Sequence, residues 1–216
     1  MINPDEITSY NLKTPQLQKT LIFWLLVAGK TAKVIAKAQE QVFNELESLW
    51  ARDYSGSIPK PFQLIKDLCE RRKGSEWLAK ILKKNGIGCY KVKAQGMIQL
   101  AHAELDLCTC KPEDLEQISG IGMKTSRCFI LHSRENTDCA GLDVHILSFL
   151  RDIGCKDIPD STPGSAKKYR EIEAKFLKIC HKVERTPAYL DLLVWRIYSK
   201  HTHLKRTLID VIHHLV

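Results

Sequence analysis

The sequence predicts an all-α fold, and three observations lead to this prediction. Apolar residues recur at helical spacing through most of the 216-residue chain. The alternation of apolar and polar residues that is typical of strands is almost absent. Turn-forming Gly and Pro residues lie between segments of about ten to twenty residues, a usual helix length. The sequence contains neither internal repeats nor low-complexity tracts.

Capping and helix-breaking residues set the predicted helix boundaries. Pro15 and Gly29 stand near the start and just past the end of the first helix. Thr31 is the predicted N-cap of the second helix, and Ser75 is that of the fourth. The predicted helices cover residues 14–28, 34–49, 61–72, 75–85, 90–102, 111–118, 124–133, 144–153, 166–181 and 187–201, and residues 204–216 could add one more.

Composition and charge narrow the classes of function. The formal net charge is +8, from 33 basic and 25 acidic residues, which favours a polyanionic partner. A basic protein that binds no nucleic acid has the same balance, so charge alone leaves both open. The longest apolar run, residues 21–28, is too short to span a bilayer. No N-terminal signal pattern is evident, so we expect an intracellular location, in the cytoplasm or nucleoid, or in the nucleus of a eukaryote.

The eight cysteines are scattered and fit free thiols in a reducing compartment. Only Cys108 and Cys110 are close together, and no second pair lies at zinc spacing. No run of four cysteines has an iron–sulfur spacing. We therefore expect no metal site built from side chains. The four histidines of the tail also lack ligand spacing; they are His201, His203, His213 and His214.

Residues 115–126 predict a helix, a tight Gly-Ile-Gly turn and a second helix. A dinucleotide-binding glycine turn should follow a strand, and no strand is predicted here. Glycines let a backbone approach a partner closely. The amides of Gly120, Gly122 and Met123 can then point at a phosphate from the second helix's N-terminus, while Ile121 packs back against both helices. An ordinary turn between two helices is the alternative.

Lys124 and Asp143 form the candidate catalytic pair. Lys124 follows the second glycine by two positions and lies in the first turn of a predicted helix. Asp143 stands at the start of the next helix, where a carboxylate can be an N-cap. The intervening helix and return loop, residues 125–142, could bring both side chains to one cleft. Taken singly, each residue could be purely structural, as a solvated lysine and a simple cap.

These motifs, in their order, resemble those of the helix-hairpin-helix DNA glycosylases. The similarity is to the bifunctional glycosylase/AP lyase members, which include endonuclease III and the 8-oxoguanine glycosylases. Residues 87–94, Ile-Gly-Cys-Tyr-Lys-Val-Lys-Ala, resemble the start of a family helix, and residues 115–126 resemble the hairpin. Residues 142–145, Leu-Asp-Val-His, resemble the segment that carries the catalytic aspartate, and Asp191 followed by Trp195 resembles the penultimate helix.

The resemblance implies a mechanism for the pair. A damaged nucleotide is flipped out of the duplex because its C1′ is otherwise inaccessible. The neutral amine of Lys124 attacks C1′ and displaces the base. Asp143 stabilises positive character on the sugar and helps to move protons to and from Lys124. The resulting Schiff base permits β-elimination, which cuts the strand. Family members that only hydrolyse the bond lack this lysine.

The resemblance also assigns DNA contacts. The junction of the first two helices would enter the minor groove, with Gly29 and Lys30 as candidate wedge residues. Endonuclease III commonly has glutamine in this area, and a plain helix–helix corner is the alternative. His145 would contact a phosphate or cap its helix, or it is simply packed. Asp191 and Trp195 would face the base pocket, although Trp195 fits a core position equally well. A monovalent cation could bind backbone carbonyls of Ser119 and Ile121.

The domain organisation and substrate complete the expectations from the resemblance. Residues 10–136 would form a central bundle with the hairpin at about 111–133, and residues 1–9 plus 137–216 would form a second helical domain, with the active-site cleft between them. No cysteine follows Trp195, so we expect no iron–sulfur cluster and no required cofactor. The expected partner is double-stranded DNA with a damaged base, bound by a monomer. The favoured lesion is 8-oxoguanine; oxidised pyrimidines, and a non-catalytic DNA-binding protein, are the alternatives.

Overall fold

The computed structural model describes residues 1–215, and among them it contains helices and no strand. The all-α prediction is confirmed. Two 3₁₀ turns, Pro4–Glu6 and Thr202–Leu204, accompany the α-helices. The α-helices are α1 (Thr14–Val27), α2 (Ala32–Asp53), α3 (Pro61–Arg71), α4 (Gly74–Lys84), α5 (Tyr90–His102), α6 (Pro112–Leu115), α7 (Met123–Ser133), α8 (Val144–Asp152), α9 (Ala166–Lys182), α10 (Pro187–Ser199) and α11 (Lys205–Leu215).

Some helix ends differ from the sequence prediction. The prediction of Ser75 as an N-cap is wrong: α4 begins one residue earlier, because the chain turns at Lys73 and Gly74 with φ of 64° and 63°. Thr31 is the N-cap residue of α2 but makes no capping hydrogen bond through its side chain. The short helix predicted for 111–118 is confined to α6. The tail helix is α11; Val216 lies outside the described residues.

The first unit spans Met1–Phe129 and has its core along α1. Apolar residues on nearly all sides of α1 are buried; they are Leu17, Leu21, Ile22, Phe23, Leu25 and Leu26. Helices α2, α3 and α5 pack against α1, and α4 packs against α3 and α5. A helix that is buried on nearly all sides forms the centre of a bundle, since its apolar faces need partners all round.

Residues 1–9 lie in the first unit, whereas the sequence prediction places them with residues 137–216 in a second domain. The 3₁₀ turn Pro4–Glu6 packs against α2. Two ion pairs hold it there, from the N-terminal ammonium to Glu40 at 3.3 Å and from Lys33 to Asp5 at 3.3 Å. Ile7 is also buried. The division between the units falls inside α7, earlier than the predicted boundary at 136/137.

The second unit begins at Ile130. Helix α10 packs against α8 and α9, and the 3₁₀ turn Thr202–Leu204 packs against α10 and α11. Its fully buried large side chains include Phe149 of α8 and both Tyr169 and Phe176 of α9. These aromatic residues form the centre of this unit's core.

None of the described helices combines the length and apolarity that a membrane span requires. Likewise, no group of three or more His, Cys, Asp or Glu side chains among the described residues is arranged to hold a metal ion. All eight cysteines are free thiols.

Candidate active site

Helices α6 and α7 flank the glycine turn, as the sequence predicts. Leu115 at the end of α6 is fully buried, and Ile118 and Ile121 on the turn are also buried. The Ile121 amide donates to the Ile118 carbonyl at 3.0 Å, which closes the turn. Ile121 therefore packs inward, and Gly120 and Gly122 on either side of it are exposed. Gly120 has a φ of 83°, a left-handed conformation that favours glycine.

The turn presents several unused amide donors. Among residues 1–215, the N–H groups of Gly120, Gly122 and Met123 donate to no other group. A Cβ added to Gly122 would meet no atom within 4 Å, so the backbone there is open. The Ser126 amide, by contrast, donates to the Gly122 carbonyl at 3.0 Å and begins the regular helical bonding. Unpaired amides at a helix N-terminus favour an anion, since the helix dipole adds to their partial charge.

Helix α5 packs closely against the backbone of the glycine turn. A Cβ on Gly96 would lie 2.2 Å from the Ser119 carbonyl oxygen, so only glycine fits at this position of α5. The Ser119 amide donates to Oε1 of Gln99 at 2.7 Å. These two contacts fix the turn against the bundle. The Ser119 carbonyl thus lies against α5, and a cation at the carbonyls of Ser119 and Ile121 stays a prediction.

Lys124 is the second residue of α7 and is half-buried. Its amine forms no hydrogen bond or ion pair with any residue that the structure describes. The helix that carries it is tied to the first part of the hairpin by Arg127, which is 5% exposed. Arg127 Nη1 donates to Oε1 of Glu116 at 2.5 Å, and Ser126 Oγ donates to the same oxygen at 2.9 Å. Lys124 therefore has a fixed backbone and an uncommitted amine.

The α1–α2 junction, which contains the predicted wedge residues Gly29 and Lys30, is exposed. The buried side chain of Lys93 contacts the backbone of this junction. Gly29 has a φ of 75°, and the Lys30 amide donates to the Val27 carbonyl at 2.9 Å. Lys93, which is 3% exposed, donates from Nζ to the carbonyls of Leu26 at 2.7 Å and Ala28 at 3.1 Å. These carbonyls at the end of α1 would otherwise be unpaired.

Burial lowers the pKa of the Lys93 ammonium; the Cys89 thiol nearby raises that pKa and the Lys30 ammonium lowers it further. A Cβ added to Gly88 would lie 3.0 Å from Cε of Lys30, so the Lys30 side chain runs over the turn before α5. The segment 87–94, which resembles the family in the sequence, thus contacts the junction that would enter the minor groove.

Asp143 is the N-cap of α8, which confirms the sequence prediction. Its Oδ1 accepts hydrogen bonds from the amides of His145 at 2.8 Å and Ile146 at 2.9 Å. These are two of the four amides that a helix start leaves unpaired. The contacts hold the carboxylate at a defined orientation, with its charge beside the positive end of the helix dipole. His145 itself is half-buried, and its imidazole forms no hydrogen bond among residues 1–215.

The extended segment before Asp143 is held by side chains of α9. The Tyr169 hydroxyl donates to the Ala140 carbonyl at 2.7 Å and accepts from the Leu142 amide at 3.0 Å. Oε1 of Glu173, one turn later, accepts from the Ala140 amide at 2.9 Å. Thr162 Oγ1 donates to the Leu142 carbonyl at 2.7 Å. A buried segment outside helices and strands needs such partners for its backbone, and here they determine where Asp143 lies.

The candidate base-pocket residues lie on α10, and each has an unpredicted partner. Oδ2 of Asp191 lies 3.1 Å from Nε2 of His132, a residue of α7 that is 1% exposed. The Trp195 ring, one turn further along, is half-buried and has the ammonium of Lys200 4.4 Å from its centroid. That Asp191 and Trp195 face a base stays a prediction.

The two residues of the candidate catalytic pair lie in different units. Lys124 belongs to the first unit and Asp143 to the second, and the cleft predicted to contain both stays a prediction.

The sequence analysis missed four residues that support the candidate residues: Gly96, Lys93, Tyr169 and His132. Lys93 could have been predicted, because it belongs to the motif at 87–94. No local sequence pattern indicates the contacts of Gly96, Tyr169 or His132.

Comparison with known proteins identifies the fold. No protein-family model matches this chain, and no curated protein sequence matches it. The structure is similar to the crystal structure of the 8-oxoguanine DNA glycosylase of Methanocaldococcus jannaschii, with a TM-score of 0.61 and 23% sequence identity over 89% of this chain and 82% of that chain. The chain has the fold of this glycosylase.

A second solved structure is similar over nearly the same span. It is the 8-oxoguanine glycosylase/lyase of the same organism in complex with a 15mer DNA containing 8-oxoguanine. The TM-score is 0.59, with 21% identity, covering 87% of this chain and 82% of that chain. The similarity thus extends over most of both molecules, and both units of this chain have to contribute to it.

Proposed function

We propose that this chain is a DNA glycosylase with AP lyase activity that removes an oxidised base, 8-oxoguanine in the first place. The observation that carries the proposal is Lys124, whose backbone is held at the start of α7 and whose amine has no partner among residues 1–215, in a chain with the fold of an 8-oxoguanine glycosylase/lyase. A lysine at this position supplies the nucleophile that separates a lyase from a simple glycosylase.

The reaction begins with the neutral amine of Lys124. Its Nζ forms a bond to C1′ of the flipped nucleotide as the bond from C1′ to the base breaks, and the base leaves with the electron pair and gains a proton. Nζ then loses a proton, the C1′–O4′ bond breaks, and O4′ gains a proton, so that the sugar becomes an open-chain protonated imine. This imine loses a proton from C2′, and the 3′ phosphate leaves with the electrons of its bond to C3′ in β-elimination. Water later releases Lys124. This chemistry needs no metal or redox cofactor, and we expect none.

Asp143 is the proposed electrostatic and proton-transfer partner of Lys124. Oδ1 is committed to the amides of His145 and Ile146, so the carboxylate stays oriented while positive charge develops on the sugar. A preorganised charge of this kind requires no rearrangement during the reaction. The three side chains of the second unit that hold the preceding backbone, Thr162, Tyr169 and Glu173, support this orientation.

The proposed partner is double-stranded DNA with a damaged base, bound by a monomer. The unpaired amides of Gly120, Gly122 and Met123 would hold a phosphate, which gives a sequence-independent grip. His145 would contact a second phosphate, and Gly29 with Lys30 would enter the minor groove. The net charge of +8 favours the same partner. We place the protein in the intracellular compartment that contains the DNA.

Borohydride trapping tests the proposal directly. We expect the wild-type chain to form a covalent adduct with a duplex containing 8-oxoguanine, because borohydride reduces the Schiff base to a stable amine. Lys124→Gln should abolish the adduct, whereas Lys80→Gln, at an exposed position of α4, should leave it unchanged. A wild-type chain that traps on neither 8-oxoguanine nor an abasic site would refute the lyase activity.

The choice of lesion is tested by comparing excision from duplexes with 8-oxoguanine, thymine glycol and uracil. Fastest excision of 8-oxoguanine supports the proposal, and fastest excision of thymine glycol would assign the chain to oxidised pyrimidines instead. Asp143→Asn should keep DNA binding and lose most excision in the same assay. Full excision by this variant would show that the role proposed for Asp143 is wrong.

A further inference from the structure

His132 and Asp191 form a buried contact between α7 and α10 within the second unit. Nε2 of His132 lies 3.1 Å from Oδ2 of Asp191, and the two side chains are 1% and 13% exposed. The two residues are far apart in the sequence, since their numbers differ by 59. A carboxylate can only accept hydrogen bonds, so the proton on Nε2 belongs to His132. This donor compensates part of the cost of burying Asp191.

The two oxygens of Asp191 have different surroundings. Oδ2 accepts from His132, whereas Oδ1 has no hydrogen-bond partner among residues 1–215. The Cys180 thiol of α9 also lies near this carboxylate. Burial, with the negative charge of Asp191 as a second cause, raises the pKa of this thiol to about 12, so Cys180 stays uncharged. Asp191 is thus held at one oxygen and keeps an acceptor at the other.

We propose that His132 is a positioning residue for base recognition: by holding Oδ2 of Asp191, it orients Oδ1 to accept an N–H group of the extruded base. The inference rests on the proposed function and on the sequence prediction that Asp191 contacts the base. Without a hydrogen-bond partner, a carboxylate rotates freely about χ2, and the cost of burying its charge favours conformations that are closer to water. His132 removes this freedom before the base arrives, and an acceptor that is already oriented gains more from the ligand.

The two halves of the proposed reaction distinguish this role from a purely structural one. Excision requires that the base be recognised, whereas strand cleavage at a preformed abasic site involves no base. A residue that acts through Asp191 on the base therefore affects excision and leaves abasic cleavage intact. A residue that merely stabilises the packing of α7 against α10 affects both activities equally, or affects only the melting temperature.

The test uses the full chain, with single-turnover rates on two duplexes of the same sequence. One duplex carries the lesion that the wild type excises best, and the other an abasic site. We expect His132→Leu to slow excision about tenfold, the effect of losing one hydrogen bond to a charged group, and to keep abasic cleavage within about twofold. His132→Gln should recover much of the loss, since its amide can donate near the position of Nε2. His181→Leu, at an exposed position of α9, is the matched control.

Asp191→Asn keeps the test valid if His132→Leu does not fold. We expect Asp191→Asn to slow excision by a similar factor, and His132→Gln added to it to slow excision no further, because both changes act through one contact. Equal losses of excision and abasic cleavage, or no loss of excision, would overturn the inference. So would a wild type that cleaves abasic sites but excises no base. A wild type inactive on both duplexes would instead refute the proposed function.

Discussion

The two members of the proposed catalytic pair are fixed by different kinds of contact. Lys124 is held through the backbone of α7, by a glycine turn and by the contact of Arg127 with Glu116, 11 residues away. Asp143 follows an extended segment whose backbone is paired with side chains of α9, 27 to 33 residues further along the chain. Only the first arrangement is built mainly from neighbours in the sequence.

This difference predicts that the hairpin around Lys124 tolerates mutation better than the segment before Asp143 does. In the hairpin, backbone groups form hydrogen bonds with one another within the turn, and side-chain contacts add to the stability of a turn that is already closed. In the segment before Asp143, side chains replace the backbone partners that a helix or strand would provide. Removing one such side chain leaves buried amides and carbonyls unpaired, which costs more than losing a surface contact. We therefore expect the second arrangement to be the more sensitive of the two.

Tyr169→Phe should have the largest effect. The hydroxyl serves both the Ala140 carbonyl and the Leu142 amide, and both residues are fully buried. Leaving both groups unpaired should lower the free energy of unfolding by about 3 kcal/mol. Excision and abasic cleavage should both fall, because the orientation of Asp143 is lost, while DNA binding through the hairpin persists.

Urea denaturation and fluorescence anisotropy with duplex DNA measure these effects. Tyr189→Phe is the matched control, since Tyr189 is 54% exposed on α10. Equal stability of the two variants would show that the hydroxyl does not hold the segment before Asp143.

Gly96→Ala tests the close approach of α5 to the hairpin, a contact between residues far apart in the sequence. The added Cβ would lie 2.2 Å from the Ser119 carbonyl oxygen, a backbone atom, so α5 or the turn has to move. Overpacking of this kind costs about 3 kcal/mol, and the better helix propensity of alanine returns about 1 kcal/mol, for a net loss of about 2 kcal/mol. Affinity for undamaged duplex DNA should fall as well, because the displaced turn misplaces its amides.

Gly164→Ala is the control for this change, since a Cβ there meets no atom within 4 Å. If Gly96→Ala unfolds at the wild-type urea concentration and binds DNA with wild-type affinity, the close approach of α5 does not position the turn.

The same difference explains how much the sequence could predict. The inward packing of Ile121 and the N-cap role of Asp143 follow from residues two to four positions away, and both are confirmed. Whether Tyr169 pairs with the segment before Asp143 depends on how α9 packs, and an apolar helix position is all that its sequence indicates. The same holds for His132, whose partner lies 59 positions away.

The differences from the sequence prediction have two origins, one local and one tertiary. Ser75 is a good capping residue by type, but left-handed backbone at Lys73 and Gly74 starts α4 before it. Residues 1–9 carry no helical period, and the sequence does not reveal that Pro4 and Ile7 are buried or that this segment pairs with Glu40 and Lys33 of α2. Local chemistry thus predicts the candidate residues, and tertiary contacts determine which residues hold them.

Glu116→Gln tests whether the hairpin depends on its internal ion pair. The amide keeps one acceptor for Ser126 and Arg127 but loses the charge that compensates the 5% exposed Arg127. We expect a loss of about 1 kcal/mol in the free energy of unfolding, since Glu116 is partly exposed. Glu113→Gln is the control, because Glu113 is 50% exposed and 3.8 Å from Arg127. A loss as large as that of Tyr169→Phe would contradict the expected order of sensitivity.

Asp143→Asn should change stability least, and for that reason it isolates the chemistry of Asp143. Asparagine caps helices about as well as aspartate, so the bonds to the amides of His145 and Ile146 should survive, with a change below about 0.5 kcal/mol. Asp143→Ala removes the cap and should cost about 1 kcal/mol. If both variants lose excision and abasic cleavage equally, while only Asp143→Ala loses stability, the carboxylate acts through its charge. If Asp143→Asn keeps its activity and Asp143→Ala does not, the residue acts as a cap, and the position of α8 rather than the charge is what the reaction requires.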